Sequence, residues 1–150
     1  MRLRLPDIAE LPGLSDLCLR SKAHWGYPAD MVDAFREELT IQASDLVEDA
    51  FRVAEDDEGV AGIVQISVEE SDAILQKLFI EPGRMGGGVG RLLYDWACAE
   101  ARRKGARRLL IDADPDAAEF YVKMGAAPAG ESPSGSIPGR MLPRLVQTLA

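Results

Sequence analysis

The sequence is poor in the residues that metal sites and disulfide frameworks require. It contains one histidine, His24, and two cysteines, Cys18 and Cys98. The cysteines show neither CxxC spacing nor the spacing of a known metal site. We therefore expect no metal centre and interpret both cysteines as buried free thiols.

Long apolar runs are also missing. No stretch approaches the roughly 18 apolar residues that a membrane-spanning helix needs. Residues 1–14 lack the continuous apolar segment of a secretory signal peptide. We expect a cytoplasmic protein with no membrane partner, and the length of 150 residues fits a single domain covering residues 1–150.

Positive charge is scarce overall but concentrated in one segment. The formal net charge is −8, which disfavours a nucleic acid as partner. Residues 84–108 nevertheless contain seven basic residues and only two acidic ones. A basic segment within an acidic protein indicates a compact anionic ligand, although arginines near the end of a helix can also simply complement its dipole.

The order of secondary-structure signals is that of an α/β domain. Residues 2–5 alternate like a short strand, and the helical pattern of residues 8–39 is interrupted by the loop at 24–28. Residues 130–139, rich in proline, serine and glycine, are predicted to form a loop. Further along, the pattern predicts a hairpin of strands at 51–55 and 60–68, a strand at 73–80, a helix from Val89, a strand at 107–111, a helix capped by Asp114 and a strand at 145–149. This order predicts a mixed sheet flanked by helices.

Four glycines lie between the predicted strand at 73–80 and the helix that begins at Val89. Glycine has no side chain, so backbone can approach a ligand closely, and free N–H groups at a helix N-terminus favour an anion such as pyrophosphate. A P-loop is excluded because no Lys-Ser/Thr pair follows, and the dinucleotide fingerprint would need glycine where Arg91 or Leu93 stands. The glycines are Gly86, Gly87, Gly88 and Gly90.

Two segments resemble the signatures of one enzyme family. Residues 80–93 (IEPGRMGGGVGRLL) resemble the acetyl-CoA signature of the GNAT superfamily, hydrophobic-x-P-x-x-[QR]-x-x-G-x-G/A. Residues 114–125 (DPDAAEFYVKMG) resemble its second signature, N-x-x-A-x-x-F-Y-x-K-x-G. The resemblance implies the α/β GNAT fold, a mixed and mostly antiparallel sheet with splayed strands flanked by helices. It also implies an acyl-CoA N-acyltransferase that uses acetyl-CoA as co-substrate and an amine as acceptor.

The sequence departs from these signatures at two positions. Met85 stands at the Gln/Arg position of the first, where the main contribution would come from a backbone N–H. Asp114 stands at the asparagine position of the second, and a carboxylate cannot donate the hydrogen bond that an amide makes toward coenzyme A.

The resemblance assigns roles to individual residues. Backbone in the strand would pair with the pantetheine arm, and one N–H there would polarise the thioester carbonyl. Tyr121 would protonate the departing thiolate, although helical periodicity alone would place it in the core beside Phe120. The residues implied for cofactor binding are Leu78, Phe79, Ile80, Arg84, Met85, Gly86, Gly87, Gly88, Val89, Gly90, Arg91, Asp114 and Phe120.

The loop SKAHWGYP is predicted to border the acceptor. His24, Trp25 and Tyr27 are the candidate acceptor-binding residues, and residues 134–140 are expected to form the opposite wall. No general base stands out: His24 is one candidate, Glu81, Glu37 and Glu38 are others, and a bound water could carry the proton instead. Trp25 could instead fill the core beneath the two helices.

The function expected from the resemblance is transfer of an acetyl group from acetyl-CoA to a primary amine of a small molecule or protein, by direct attack in a ternary complex. A catalytically idle acyl-CoA-binding regulator on the same fold is the alternative. A nucleotide-binding module is a third possibility, which the missing phosphate motifs disfavour. The identity of the amine, the acyl chain length and whether the chain forms a homodimer stay open.

Overall fold

One seven-stranded sheet, with helices packed on its faces, organises residues 1–149, the part of the chain that the computed structural model describes. Strands β1 to β7 are Arg2–Arg4, Ala50–Asp56, Gly59–Glu69, Asp72–Ile80, Arg108–Asp112, Ala127–Pro133 and Met141–Thr148. Helices α1 to α5 are Leu11–Ala23, Ala29–Leu39, Ala43–Glu48, Val89–Arg103 and Ala118–Lys123. Two single 3₁₀ turns, Ile8–Glu10 and Pro82–Arg84, precede α1 and follow β4.

The strands lie in the order β1-β2-β3-β4-β5-β7-β6, and only the β4–β5 pair is parallel. That parallel contact is short: Asp72–Ile74 pair with Arg108–Leu110 and the ladder then stops. From Leu75 to Ile80, β4 is paired on the β3 side alone. The predicted mixed, mostly antiparallel sheet with splayed strands is therefore confirmed.

Each face of the sheet has its own hydrophobic core because successive strand residues point to opposite faces. In β3, Val64 packs under α4 while its neighbour Ile63 packs under α1 and α2. Cys98 lies in the core under α4 and Cys18 in the core under α1 and α2. Both are buried free thiols, as predicted. No helix within residues 1–149 is long and apolar enough to cross a membrane.

Three local predictions are wrong or incomplete. The predicted loop at 130–139 begins later, because residues up to Pro133 belong to β6, an edge strand where prolines cost no ladder bond. Helix α3 was not predicted. Asp114 does not cap α5: its Oδ1 accepts the N–H of Asp116 at 3.0 Å, closing a turn, and the helix begins only at Ala118.

Candidate active site

The separation of β4 from β5 leaves one backbone edge without a partner strand. Leu78, Phe79 and Ile80 pair with Val64, Ile63 and Gly62 of β3. In the described part of the chain, no strand pairs with their other edge. An extended ligand can add to such an edge through backbone hydrogen bonds. The structure thus places the three predicted strand residues where a pantetheine arm could lie.

The glycine loop, which carries Gly86, Gly87, Gly88 and Gly90, comes after this strand in the chain. Pro82 cannot continue the ladder, and a 3₁₀ turn leads into the loop. Gly86 and Gly88 have φ angles of +83° and +85°, the left-handed region that other residues rarely adopt. A Cβ atom built on either glycine would meet no heavy atom within 4 Å. The space beside the loop is therefore open.

The backbone N–H groups of this loop are free. The first one with a partner is that of Leu92, which donates to the Gly88 carbonyl at 3.1 Å. Within residues 1–149, none of the backbone N–H groups from Gly86 to Arg91 donates a hydrogen bond. These donors lie at the positive end of a 15-residue helix, α4. The arrangement favours an anion with several oxygens.

Gly90 is needed for a different reason. A Cβ atom there would lie 3.2 Å from Cζ of Phe120, closer than most side chains allow. Phe120 therefore packs against the first turn of α4 and brings α5 up to the glycine loop. This contact joins the two sequence segments that were singled out for cofactor binding.

Tyr121 combines a buried ring with an unbonded hydroxyl. The residue is 7% exposed, and its ring lies 5.2 Å from that of Phe120 and 5.7 Å from that of Tyr94. Among the described residues, its hydroxyl has no hydrogen-bond partner, and the oxygen is not completely shielded from solvent. Burial raises the pKa of Tyr121 and the negative charge of Asp114 raises it further. The phenol is therefore protonated at neutral pH and free to donate.

Asp114 is the centre of a polar cluster at the end of β5. Its Oδ2 accepts a hydrogen bond from Tyr27 Oη at 2.5 Å and lies 3.0 Å from Lys22 Nζ. Arg140 Nη2 is 3.8 Å from the same oxygen. Burial would raise the pKa of Asp114, but the hydrogen bonds from Tyr27 and the Asp116 N–H and the charge of Lys22 outweigh it, so the pKa is lowered.

Of the three candidate acceptor-binding residues, His24, Trp25 and Tyr27, the structure brings only Tyr27 to this cluster. Arg140 Nη2 donates to its hydroxyl at 2.6 Å, so the segment 134–140 meets the 24–28 loop there. Burial and the hydrogen bond to Asp114 raise the pKa of Tyr27 to about 12.

His24 and Trp25 lie outside the cluster. Both are exposed, and their rings contact each other edge to face at 5.3 Å. In the described chain, the imidazole makes no hydrogen bond or ion pair. Trp25 is 44% exposed, so it does not fill the core. Their part in acceptor binding, and that of His24 as a base, stays a prediction.

The charged residues near the glycine loop have mixed placements. Arg84 forms an ion pair with Asp56, the last residue of β2, and lies 3.8 Å from Glu58 in the β2–β3 turn, so its guanidinium is already engaged by carboxylates. Arg91, in the first turn of α4, is exposed and has no ion pair within residues 1–149. Met85, at the position where the family has Gln or Arg, is half-buried.

The carboxylates that could act as a base differ in their placement. The carboxylate of Glu81 accepts hydrogen bonds from Nε and Nη2 of Arg20, at 3.0 and 2.6 Å. Glu37 and Glu38 are exposed on α2.

Sequence reasoning placed Lys22 in the SKAHWGYP loop and Arg140 in the wall segment 134–140, but it assigned neither side chain a role. No local pattern indicates that either one contacts Asp114. Only the fold brings them to Asp114, because all three lie on different elements.

Comparisons with known proteins agree with this geometry. A family model described as an acetyltransferase (GNAT) domain matches residues 48–125. The chain is similar in structure to PaiA N-acetyltransferase from Thermoplasma acidophilum in complex with coenzyme A (16% identity, TM-score 0.77, covering 98% of each chain). It is also similar to a GCN5-related N-acetyltransferase from Rhodopseudomonas palustris (20% identity, TM-score 0.83, covering 99% of this chain and 95% of that one).

A third similar structure is YncA from Salmonella typhimurium with its cofactor acetyl-CoA (20% identity, TM-score 0.70, covering 100% of this chain and 94% of that one). At these identities the likeness establishes the fold. A comparison with curated proteins found no match.

Proposed function

Because this chain belongs to the GNAT acetyltransferase family, we propose that it transfers the acetyl group of acetyl-CoA to a primary amine, which attacks the thioester directly in a ternary complex. One observation carries the proposal: unpartnered backbone lies at the free edge of β4 and again in the glycine loop at the N-terminus of α4, with only a 3₁₀ turn between them. Acetyl-CoA has the matching chemistry, an extended amide-bearing arm joined to a pyrophosphate. Two structural neighbours were crystallised with coenzyme A or acetyl-CoA.

The glycine loop would hold the pyrophosphate. Its free N–H groups and the dipole of α4 suit oxyanions, and the open space beside Gly86 and Gly88 leaves room for a phosphate. The residues present therefore fit the group. Since Arg84 is bound to Asp56, the backbone rather than this side chain would supply most of the contacts.

The free edge of β4 would hold the pantetheine arm and the thioester. A backbone N–H of the segment Leu78–Ile80 would donate to the thioester carbonyl oxygen, where negative charge develops during attack. Such a donor is already fixed by the sheet, so it needs no reorganisation when the charge appears.

Tyr121 would act as the general acid. Its phenol keeps its proton at neutral pH because burial and the charge of Asp114 raise its pKa. When the carbon–sulfur bond breaks, a hydroxyl without a protein partner is free to donate to the departing sulfur. The neighbouring Tyr94 cannot do this, because its hydroxyl already donates to Gln147 Oε1 at 3.0 Å.

The acceptor amine must lose a proton before or during attack. Glu81 and Asp114 are both held by cations, so neither is a good base. We propose that water carries this proton to solvent. Tyr27 and the segment 134–140 would line the acceptor side of the site.

The test is an amine panel incubated with acetyl-CoA and the enzyme, following release of free coenzyme A thiol and the mass of the acetylated product. We expect turnover with at least one primary amine. Binding of acetyl-CoA without turnover of any amine, peptide or protein in the panel would instead favour an idle acyl-CoA-binding regulator.

A further inference from the structure

The last turn of α1 spans the gap between the separated ends of β4 and β5. Arg20 binds Glu81, the residue directly after β4, and Lys22 binds Asp114, two residues beyond β5. Asp114 also lies close enough to Tyr121 to raise the pKa of that phenol. The ammonium group of Lys22 is therefore fixed at the open end of the gap, beside the carboxylate of Asp114.

Arg140 reaches the same place from the segment 134–140. Its guanidinium carbon lies 5.1 Å from the ring centre of Tyr27 and 5.6 Å from that of Phe35. The Lys22 ammonium lies 4.5 Å from the ring centre of Phe35. Two cations thus share one pair of aromatic rings and one carboxylate, Asp114. We call these two cations the Lys22–Arg140 pair.

The Lys22–Arg140 pair carries one positive charge that Asp114 does not neutralise. The side chains are 14% and 17% exposed, so water compensates this charge less well than it would at the surface. Nη2 of Arg140 is engaged with Tyr27, but Nε and Nη1 have no partner among the described residues and are not sealed from solvent. These donors are available to an incoming anion.

Within residues 1–149, no carboxylate other than that of Asp114 forms an ion pair with Lys22 or Arg140. Glu81 is taken by Arg20, and Asp112 is taken by Arg144 at 2.7 Å. The carboxylate of Glu38 lies near Gly135, in the same segment as Arg140, but the residue is exposed on α2 and its charge is screened by solvent. An anion that satisfies the pair must therefore come with a ligand.

Building on the proposed acetyl transfer, we propose that the acceptor is an amine that also bears a carboxylate, such as a free amino acid. Its carboxylate binds the open face of Arg140 with support from Lys22, and its amine points toward the thioester and Tyr121. A planar guanidinium matches the two oxygens of a carboxylate, which gives orientation as well as attraction.

The experiment compares matched acceptors that differ only in the carboxylate, such as phenylalanine with phenethylamine and lysine with cadaverine. We measure kcat/KM from coenzyme A release. We expect the wild-type enzyme to prefer the amino acid of a pair by about 10- to 100-fold, the range for hydrogen bonds to a charged group. Arg140→Gln and Lys22→Met should each remove most of this preference, and Lys22→Arg should retain it.

Arg36→Gln is the matched control, since Arg36 is an exposed arginine on α2 whose ion partner is Asp33 at 3.8 Å. It should leave the preference intact. The wild-type preference is measured without any variant, so the proposal is decided even if a substitution prevents folding. Equal or better use of the decarboxylated amine, or an unchanged preference in Arg140→Gln and Lys22→Met, overturns the proposal.

Failure of this proposal and failure of the proposed function give different results. If amines without a carboxylate are acetylated and no amino acid is, the enzyme is an acetyltransferase with a different acceptor class. If acetyl-CoA does not raise the melting temperature of the wild-type protein at all, the proposed function fails, and the acceptor proposal fails with it.

Discussion

Two tyrosines lie side by side in the core, and hydrogen bonding separates their roles. Their rings are 5.7 Å apart, but Tyr94 donates to Gln147 while the hydroxyl of Tyr121 has no partner within residues 1–149. From periodicity alone, Tyr121 would be interpreted as a packing residue. An unbonded phenol that stays protonated is suited to give its proton to a leaving group.

Tyr121→Phe keeps the ring and removes only the hydroxyl. We expect kcat to fall by roughly 10²–10⁴ because the departing thiolate loses its proton donor. The affinity for acetyl-CoA, measured by calorimetry, should change little. Tyr94→Phe is the control: it loses a hydrogen bond worth about 1 kcal/mol of stability but should keep its turnover. Equal turnover in Tyr121→Phe and the wild type would make Tyr121 a core residue.

Asp114→Asn tests the second residue at this scale. The substitution restores the family's asparagine but leaves Lys22 and Arg140 without their carboxylate, so we expect a loss of about 1–3 kcal/mol in the free energy of unfolding at pH 7. The folded-state pKa of Asp114 lies below its ordinary value, so its stabilisation is present above about pH 4 and is lost as the pH falls through the folded-state pKa.

Denaturant unfolding from pH 7 down to pH 3 checks this prediction. The difference between wild type and Asp114→Asn should shrink only in the acid part of that range. Asp30→Asn, at an exposed position in the first turn of α2, is the control and should show no comparable difference at pH 7. A wild type and an Asp114→Asn variant of equal stability at pH 7 would contradict the assigned ion pairs.

At the scale of elements, the sequence predicted the helix boundaries that a short local pattern determines. The start of α4 at Val89 followed from a glycine loop beside an amphipathic pattern, and both are contained in a short segment. The start of α5 could not be predicted in this way. An Asp-Pro pair resembles a cap, yet the carboxylate of Asp114 is bound by Lys22 and Tyr27, which are distant in sequence. For the same reason, sequence analysis placed Arg140 in the wall segment 134–140 but did not predict its contacts with Asp114 and Tyr27.

Edge strand β6 was missed because its prolines and glycine indicate a loop. Such residues are tolerated only because β6 pairs on one side, with β7. Strand position in a sheet is a property of the whole fold, and no local pattern contains it.

Gly62 tests how closely β3 must approach β4. A Cβ atom there would lie 2.8 Å from the Phe79 carbonyl oxygen, so Gly62→Ala must displace the backbone of β4. We expect a loss of about 1–3 kcal/mol of stability and weaker acetyl-CoA binding, because the displaced segment carries the free edge. Thermal unfolding and calorimetry measure both. Gly13→Ala, where a Cβ meets no heavy atom within 4 Å, should lose neither. Unimpaired binding in a folded Gly62→Ala would contradict a ligand on this edge.

At the scale of the whole molecule, the site exists because one sheet is only partly closed. The parallel contact between β4 and β5 ends at Ile74, and the two sequence signatures lie on either side of the resulting gap. Phe120 packs on Gly90 across it, and α1 contributes the cations at its open end. Composition could indicate an anionic ligand from the basic segment, but only this topology brings the two signatures to one gap and the Lys22–Arg140 pair to Asp114.

The central claim is that the glycine loop at the N-terminus of α4 binds acetyl-CoA, and calorimetric titration of acetyl-CoA into wild type, Gly88→Val and Gly105→Val tests it most directly. Gly88 and Gly105 lie at opposite ends of α4, both have positive φ, and a Cβ at either meets nothing within 4 Å. The two substitutions thus impose similar backbone strain, but only the first fills the proposed phosphate site. We expect wild type and Gly105→Val to bind acetyl-CoA and Gly88→Val not to bind it. In the two proteins that bind, acetyl-CoA at 100 times its Kd should add about 2.7 kcal/mol to the free energy of unfolding and raise the melting temperature accordingly. A folded Gly88→Val with the affinity of Gly105→Val would contradict the account.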